Sequence, residues 1–177
     1  MHPYPEHLVR HLRLRDGTGI IIRPIRPEDA QIEQDFVREL SDEARYYRFM
    51  DTLRELSPTM LAHLTRIDYH DHMALIAVTH QNGREVEIGV ARYVVNPDGT
   101  SCEFAVVIGD EWQGRGVAGL LMAQLFAAAR ERGIKTMIGE VLSSNHKMLR
   151  FMHGLGFEVQ VRENDPTVMR VSKQLDG

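Results

Sequence analysis

The 177-residue sequence predicts an α+β fold, a mixed and mainly antiparallel central sheet flanked by helices. Three observations predict it. Between Met73 and Ile108, three strand-like runs follow one another with only short turn signals between them. A long helix is expected from about Gly114 to Arg132, where Gly133 stops it. Helical and strand-like segments then alternate to the end of the chain, so one layer of sheet must carry helices on both sides.

Residues 1–10 hold two prolines and little periodicity and read as an N-terminal extended arm; residues 11–177 read as a single domain. From Leu12 to Ile25 the pattern alternates around Asp16-Gly17, as in a hairpin or strand pair. Pro27-Glu28-Asp29 opens a helix, because proline fits its first turn and acids favour its positive end. Ile32, Phe36, Val37 and Leu40 continue it at helical spacing. Ser57-Pro58 starts a second helix that ends near Arg66. Strands follow at Met73–Thr79, Val86–Val95 and Ser101–Ile108, separated by Gln81-Asn82-Gly83 and Asn96-Pro97-Asp98-Gly99. After the long helix come a strand at about Thr136–Leu142, a helix from Asn145 to near Gly156, and strands around 157–163 and 167–175.

Composition narrows the function. The chain is 43% hydrophobic and 26% charged, an ordinary balance for a domain with its own core. One cysteine, Cys102, permits no internal disulfide and no metal cluster, and fits a reducing compartment. The net charge is −4 and no Lys/Arg-rich run occurs, which argues against nucleic acid as a partner. No stretch approaches the ~18 apolar residues of a membrane span, so a cytoplasmic protein is expected. His70-Asp71-His72 lacks convincing ligand spacing for a metal.

The chemistry concentrates between Val107 and Gly119, where a strand runs into a glycine-rich turn and the turn into the long helix. A helix start offers unpaired N–H groups and the positive end of a dipole, and glycines let an anion come close. The bland alternative is that Gly114, Gly116 and Gly119 only permit tight helix–strand packing. Gly114 to Gly119 also spells G-x-G-x-x-G, with Glu140 about twenty residues on, as in a dinucleotide fold. Context rejects that reading. Gly109–Gln113 separate the first glycine from the strand, and antiparallel strands precede the motif.

Gln113-x-x-Gly116-x-Ala118 resembles instead the Q/R-x-x-G-x-G/A signature of the GNAT superfamily of N-acetyltransferases, in its usual place before the long helix. The run from Asn145 to Phe157 is similar to that family's N-x-x-A-x-x-x-Y-x-x-x-G-F segment. The resemblance implies the GNAT fold and acetyl-CoA as cofactor. It implies that the amides of Gln113, Gly114, Arg115, Gly116, Val117, Ala118 and Gly119 hold the coenzyme A pyrophosphate. Val106, Val107 and Ile108 would pair with the pantetheine arm as an added strand would, and Asn145 would touch the cofactor besides capping its helix. Met152 departs from the pattern, since it stands where relatives often carry a tyrosine proposed as general acid. A thiolate of pKa ~8.5 can leave without an obligatory acid, and water, Ser143 or Ser144 could supply the proton.

An amine acceptor needs a base. Free lysine, with pKa about 10.4, is deprotonated roughly once in 2,500 molecules at pH 7, a handicap of about 4.6 kcal/mol. Glu103 is the catalytic candidate, a carboxylate interrupting the apolar run Cys102–Ile108 ten residues before Gln113. The alternative is a solvent-facing residue or a partner for Arg92. Glu140 is the reserve. Strand alternation turns Cys102 to the opposite face, as a buried and inert thiol.

Further segments at residues 2–5, 14–17, 22–29 and 41–49 resemble the GNAT module of bacterial protein lysine acetyltransferases, which have a catalytic glutamate at the Glu103 position. Such relatives modify a lysine on AMP-forming acyl-CoA synthetases. The resemblance therefore implies a protein substrate with an acceptor lysine. Ser41–Glu43 and Asp68–His72 could line the acceptor surface or be solvated helix ends. A small-molecule amine acceptor and a non-catalytic acyl-CoA sensor are the alternatives.

Overall fold

A computed structural model describes residues 2–175. Eight strands form one sheet: β1 (Arg10–Arg13), β2 (Gly19–Pro24), β3 (His72–Gln81), β4 (Arg84–Val95), β5 (Ser101–Ile108), β6 (Thr136–Leu142), β7 (Glu158–Arg162) and β8 (Asp165–Gln174). Their order is β1-β2-β3-β4-β5-β6-β8-β7, antiparallel throughout except for β5 beside β6. Helices α1 (Ala30–Glu39), α2 (Asp42–Phe49) and α3 (Pro58–Thr65) separate β2 from β3. Helix α4 (Val117–Arg132) makes the crossover that a parallel β5–β6 pair requires, and α5 (His146–Gly154) follows β6.

The sheet has a core on each face. On one, Leu121, Met122, Leu125 and Ala129 of α4 and Met152 of α5 pack against Leu75, Ala77, Ala91 and Tyr93. On the other, Phe36 and Val37 of α1 and Leu40 just after it cover Ala74, Ile76, Val78, Val90 and Val107. β3 is buried on both sides, which is why its sequence reads as a continuous apolar run rather than an alternating one. A bulge opposite Ala77 and Val78 inserts Ile88 and shifts the β4 register. Glu87 thereby shares the α1 face with Val90 and Arg92.

Three elements differ from the sequence expectation. The start of α1 is a 3-10 turn over Pro27–Asp29. The Asp29 carboxylate accepts from the Arg26 amide at 2.8 Å and takes both Arg23 nitrogens at 2.7 and 2.8 Å, so it pins β2 to the helix start. α2 was not expected at all. Asp42–Phe49 shows no clear apolar period; the helix is held by Ser41, whose side chain caps Ala44 N, and by Arg45, which donates to the Val37, Arg38 and Leu40 carbonyls. α4 begins at Val117 rather than Gly114, because Gly114 and Gly116 sit at φ 75° and 92°, outside the helical region. The N-terminal arm carries a 3-10 turn at Glu6–Leu8 and is docked by the Tyr4 hydroxyl, which donates to the Pro24 carbonyl at 2.7 Å.

Candidate functional site

β5 pairs with β4 over Gly89–Val95, but with β6 only at Ser101, Cys102 and Glu103. Beyond Glu103 the two strands part. A side chain fills the fork on the α4 face: the Phe104 ring lies over Gly139, where a Cβ would come within 2.5 Å of Phe104 Cε1, and packs on Phe157 at 5.1 Å. Val106, Val107 and Ile108 keep their β4 partners and have none in β6. Half of their backbone groups therefore face the gap, as those of a sheet edge do.

α2 crosses the wide end of the gap. The Ser41 amide donates to Asp110, just after β5, at 2.9 Å, and the Tyr47 hydroxyl reaches the Ser144 carbonyl, just after β6, at 3.4 Å. Tyr47 was invisible to sequence reasoning, because its partner lies 97 positions away.

The glycine-rich segment continues β5 through a 3-10 turn at Asp110–Trp112 into α4. Among the described residues, no turn, loop or cap bond uses an amide from Gln113 to Gly119 as donor. The first three amides of α4 have no acceptor within the helix either. Packing does not account for the glycines: a Cβ on Gly114, Gly116 or Gly119 would meet nothing within 4 Å. Positive φ explains the first two. Gly119 has neither a strained φ nor a neighbour, which leaves room for a ligand's approach. These features fit a pyrophosphate. Gln113 reaches back to the Ile108 carbonyl at 3.4 Å, and Arg115 turns aside to Asp16.

Glu103 is exposed, at the last β5–β6 pair and hence at the apex of the fork. Its opposite neighbour on β4 is Val94, itself 44% exposed. No ion pair engages it among the described residues. Arg92 is committed elsewhere, to Glu33 at 3.0 Å and to the Leu64 carbonyl and His72 at 3.1 Å. Glu140 is paired with Arg162.

Cys102 is fully buried, and burial pushes its thiol up to about 12. Met152 is also fully buried in the α4-face core. Ser143 donates to the Pro166 carbonyl at 3.1 Å. Asn145 caps α5 by accepting from Met148 N at 3.3 Å. His70 stacks on His2 and bonds Asp71, and burial beside Arg92 lowers His72 to about 4. Among the described residues no group of three or more His, Cys, Asp or Glu could hold a metal, and no helix is long and apolar enough to cross a membrane.

Comparison with known proteins shows the family. The family model for the acetyltransferase (GNAT) domain matches residues 20–158. The chain is 37% identical over 154 residues to "Acetyltransferase PA5475" of Pseudomonas aeruginosa, spanning 87% of this chain and 83% of that protein. It is 32% identical over 159 residues to "Acetyltransferase Pat" of Mycolicibacterium smegmatis, covering 89% of this chain but 46% of that longer one. The solved GNAT domain of S. lividans PAT superposes with a TM-score of 0.88 at 33% identity, over 97% of this chain and 99% of that one. The chain therefore belongs to the GNAT acetyltransferase family, and its acyl donor is acetyl-CoA.

Proposed function

We propose that this acetyltransferase modifies a lysine side chain of a folded protein, with Glu103 as the general base. The observation that carries the reading is the place of Glu103: an exposed carboxylate with no ion-pair partner among the described residues, at the apex where β5 and β6 part. The donor supplies an activated thioester. On this reading the amides of Gln113–Gly119 hold its phosphates, and the gap edge of Val106–Ile108 aligns the pantetheine arm. Glu103, directly or through a water, takes a proton from the incoming ammonium and so offsets the handicap of a lysine at neutral pH. The nitrogen then attacks the acyl carbon and the thiolate leaves. Met152 supplies no proton, being a buried thioether. Tyr47, half-buried at the wide end of the gap, is a hydroxyl candidate alongside Ser144.

The resemblance to bacterial protein lysine acetyltransferases, together with the likeness to Pat and the S. lividans PAT domain, supports a protein acceptor, and an AMP-forming acyl-CoA synthetase is the first to try. The test compares native chain and Glu103→Gln on a purified AMP-forming acetyl-CoA synthetase, reading site-specific acetylation by mass spectrometry. The expected outcome is one modified lysine and a loss of at least ~100-fold in turnover for the variant, with acetyl-CoA binding retained. Equal rates for the two chains would remove Glu103 from the mechanism. Acetyl-CoA binding without any modified lysine would remove the acceptor.

A further inference from the structure

Arg115 stands between Gly114 and Gly116, both at positive φ, in the middle of the amide run assigned above to the phosphates. Glycines on either side leave a backbone with little stiffness of its own. The Arg115 side chain supplies what they lack. Its Nε and Nη2 both donate to Asp16 Oδ2, at 3.0 and 2.7 Å, and Nη2 reaches Thr18 Oγ1 at 3.2 Å. Trp112 closes the other side, its ring centre 4.1 Å from the guanidinium carbon. Asp16 is itself fixed, because its Oδ1 accepts from the Thr18 amide at 2.9 Å within the β1–β2 turn.

An isolated surface ion pair contributes little. Here the guanidinium has two hydrogen-bonding partners and an aromatic face, so its position is set by a network. Hydrogen bonds from Thr18 and then Arg115 hold the Asp16 carboxyl down at about 2, ionised at any working pH.

We propose that Asp16 is a positioning residue for acetyl-CoA: through Arg115 it fastens the glycine-flanked loop to the N-terminal hairpin and sets the amides before the donor arrives. The inference rests on the assignment of Gln113–Gly119 to the phosphates. It gives Arg115 a role other than that of a free countercharge. Its benefit is preorganisation, since a loop already in its bound shape loses less freedom on binding.

Calorimetric titration of acetyl-CoA into the native chain, Asp16→Ala, Arg115→Met and the double variant tests it, with NMR backbone order parameters of residues 113–119 in the free proteins. Each single variant should raise Kd about five- to tenfold, and the double should be no weaker than the worse single. Order parameters at 113–119 should fall in Asp16→Ala, while its Tm stays within about 2 °C of native, a margin below 1 kcal/mol at this size. Asp16→Asn, whose single amide oxygen can keep the Thr18 bond but turns an NH2 donor toward the Arg115 guanidinium, should lose affinity as Asp16→Ala does. Unchanged or tighter binding by Asp16→Ala, or additive losses in the double variant, would overturn the proposal and make Arg115 an independent phosphate ligand. Should Asp16→Ala not fold, Arg115→Met with native-like affinity and order parameters overturns it equally. A native chain that binds no acetyl-CoA would instead fail the phosphate assignment itself, before any variant is compared.

Discussion

Cys102 and Glu103 are adjacent in the chain and opposite in environment. Strand alternation turns the thiol into the α4-face core, where burial pushes it up to about 12, and the carboxylate out to the fork. A thiol so protonated is no nucleophile at neutral pH. Cys102→Ala is therefore expected to keep turnover within about threefold of native, and intact mass after incubation with acetyl-CoA should show no acyl adduct on Cys102. An adduct that forms and decays at the turnover rate would replace direct attack by a two-step transfer. This contrast was legible from period two alone, because both neighbours lie on one strand. Tyr47 and Asp16 were not legible. Each acquires its role from a partner 97 or 99 positions away, and no local pattern encodes such a distance.

At the scale of elements, the fork depends on Phe104 and Gly139. The strand containing Gly139 was read correctly, and a glycine inside a strand signals a close approach; which ring approaches it is a tertiary fact. Gly139→Ala would set a methyl 2.5 Å from Phe104 Cε1, which must move against Phe157. A cost of about 1–3 kcal/mol is expected, seen as a Tm lower by roughly 3–8 °C. Phe104→Leu in the same chain should restore part of it. An unchanged Tm would mean that the ring yields freely and does not hold the fork. Helices with an apolar stripe, α1 above all, were equally readable. α2 escaped because side-chain bonds from Ser41 and Arg45 hold it, with Asp110 fixing its start, and polar bonds leave no periodic trace. The onset of α4 shifted by three residues because G-R-G permits a helix as readily as a left-handed turn, and local sequence does not decide between them.

Across the whole molecule, the meander and the layering were legible from turns and period, whereas the charged interior under α1 was not. Glu87 looks like a solvent-facing strand residue in sequence; the bulge at Ile88 carries it beneath α1, where Glu33 already pairs with Arg92. Burial, reinforced by Glu33, pushes the Glu87 carboxyl well above the usual carboxylate range. Neither Glu87 carboxylate oxygen has a hydrogen-bond partner among the described residues, so burial there favours the neutral acid. The folded state thus holds a proton that the unfolded chain releases above pH ~4.3. Stability from this group is complete below that pH and declines as pH rises toward the folded value. Glu87→Gln keeps a donor and removes the titration, so its Tm should gain on native between pH 5 and pH 8. Parallel profiles would place the proton elsewhere.

The β5–β6 joint has one further consequence. It is a seam of three residue pairs in a sheet whose β3–β4 and β6–β8 ladders run to ten and seven. On the proposed seating, the pantetheine amides add rungs to the shortest ladder of the central sheet. Occupancy and resistance to unfolding then rise together, by mass action on the folded state. An enzyme assembled this way is most durable when its donor is plentiful and most easily cleared when the donor runs short.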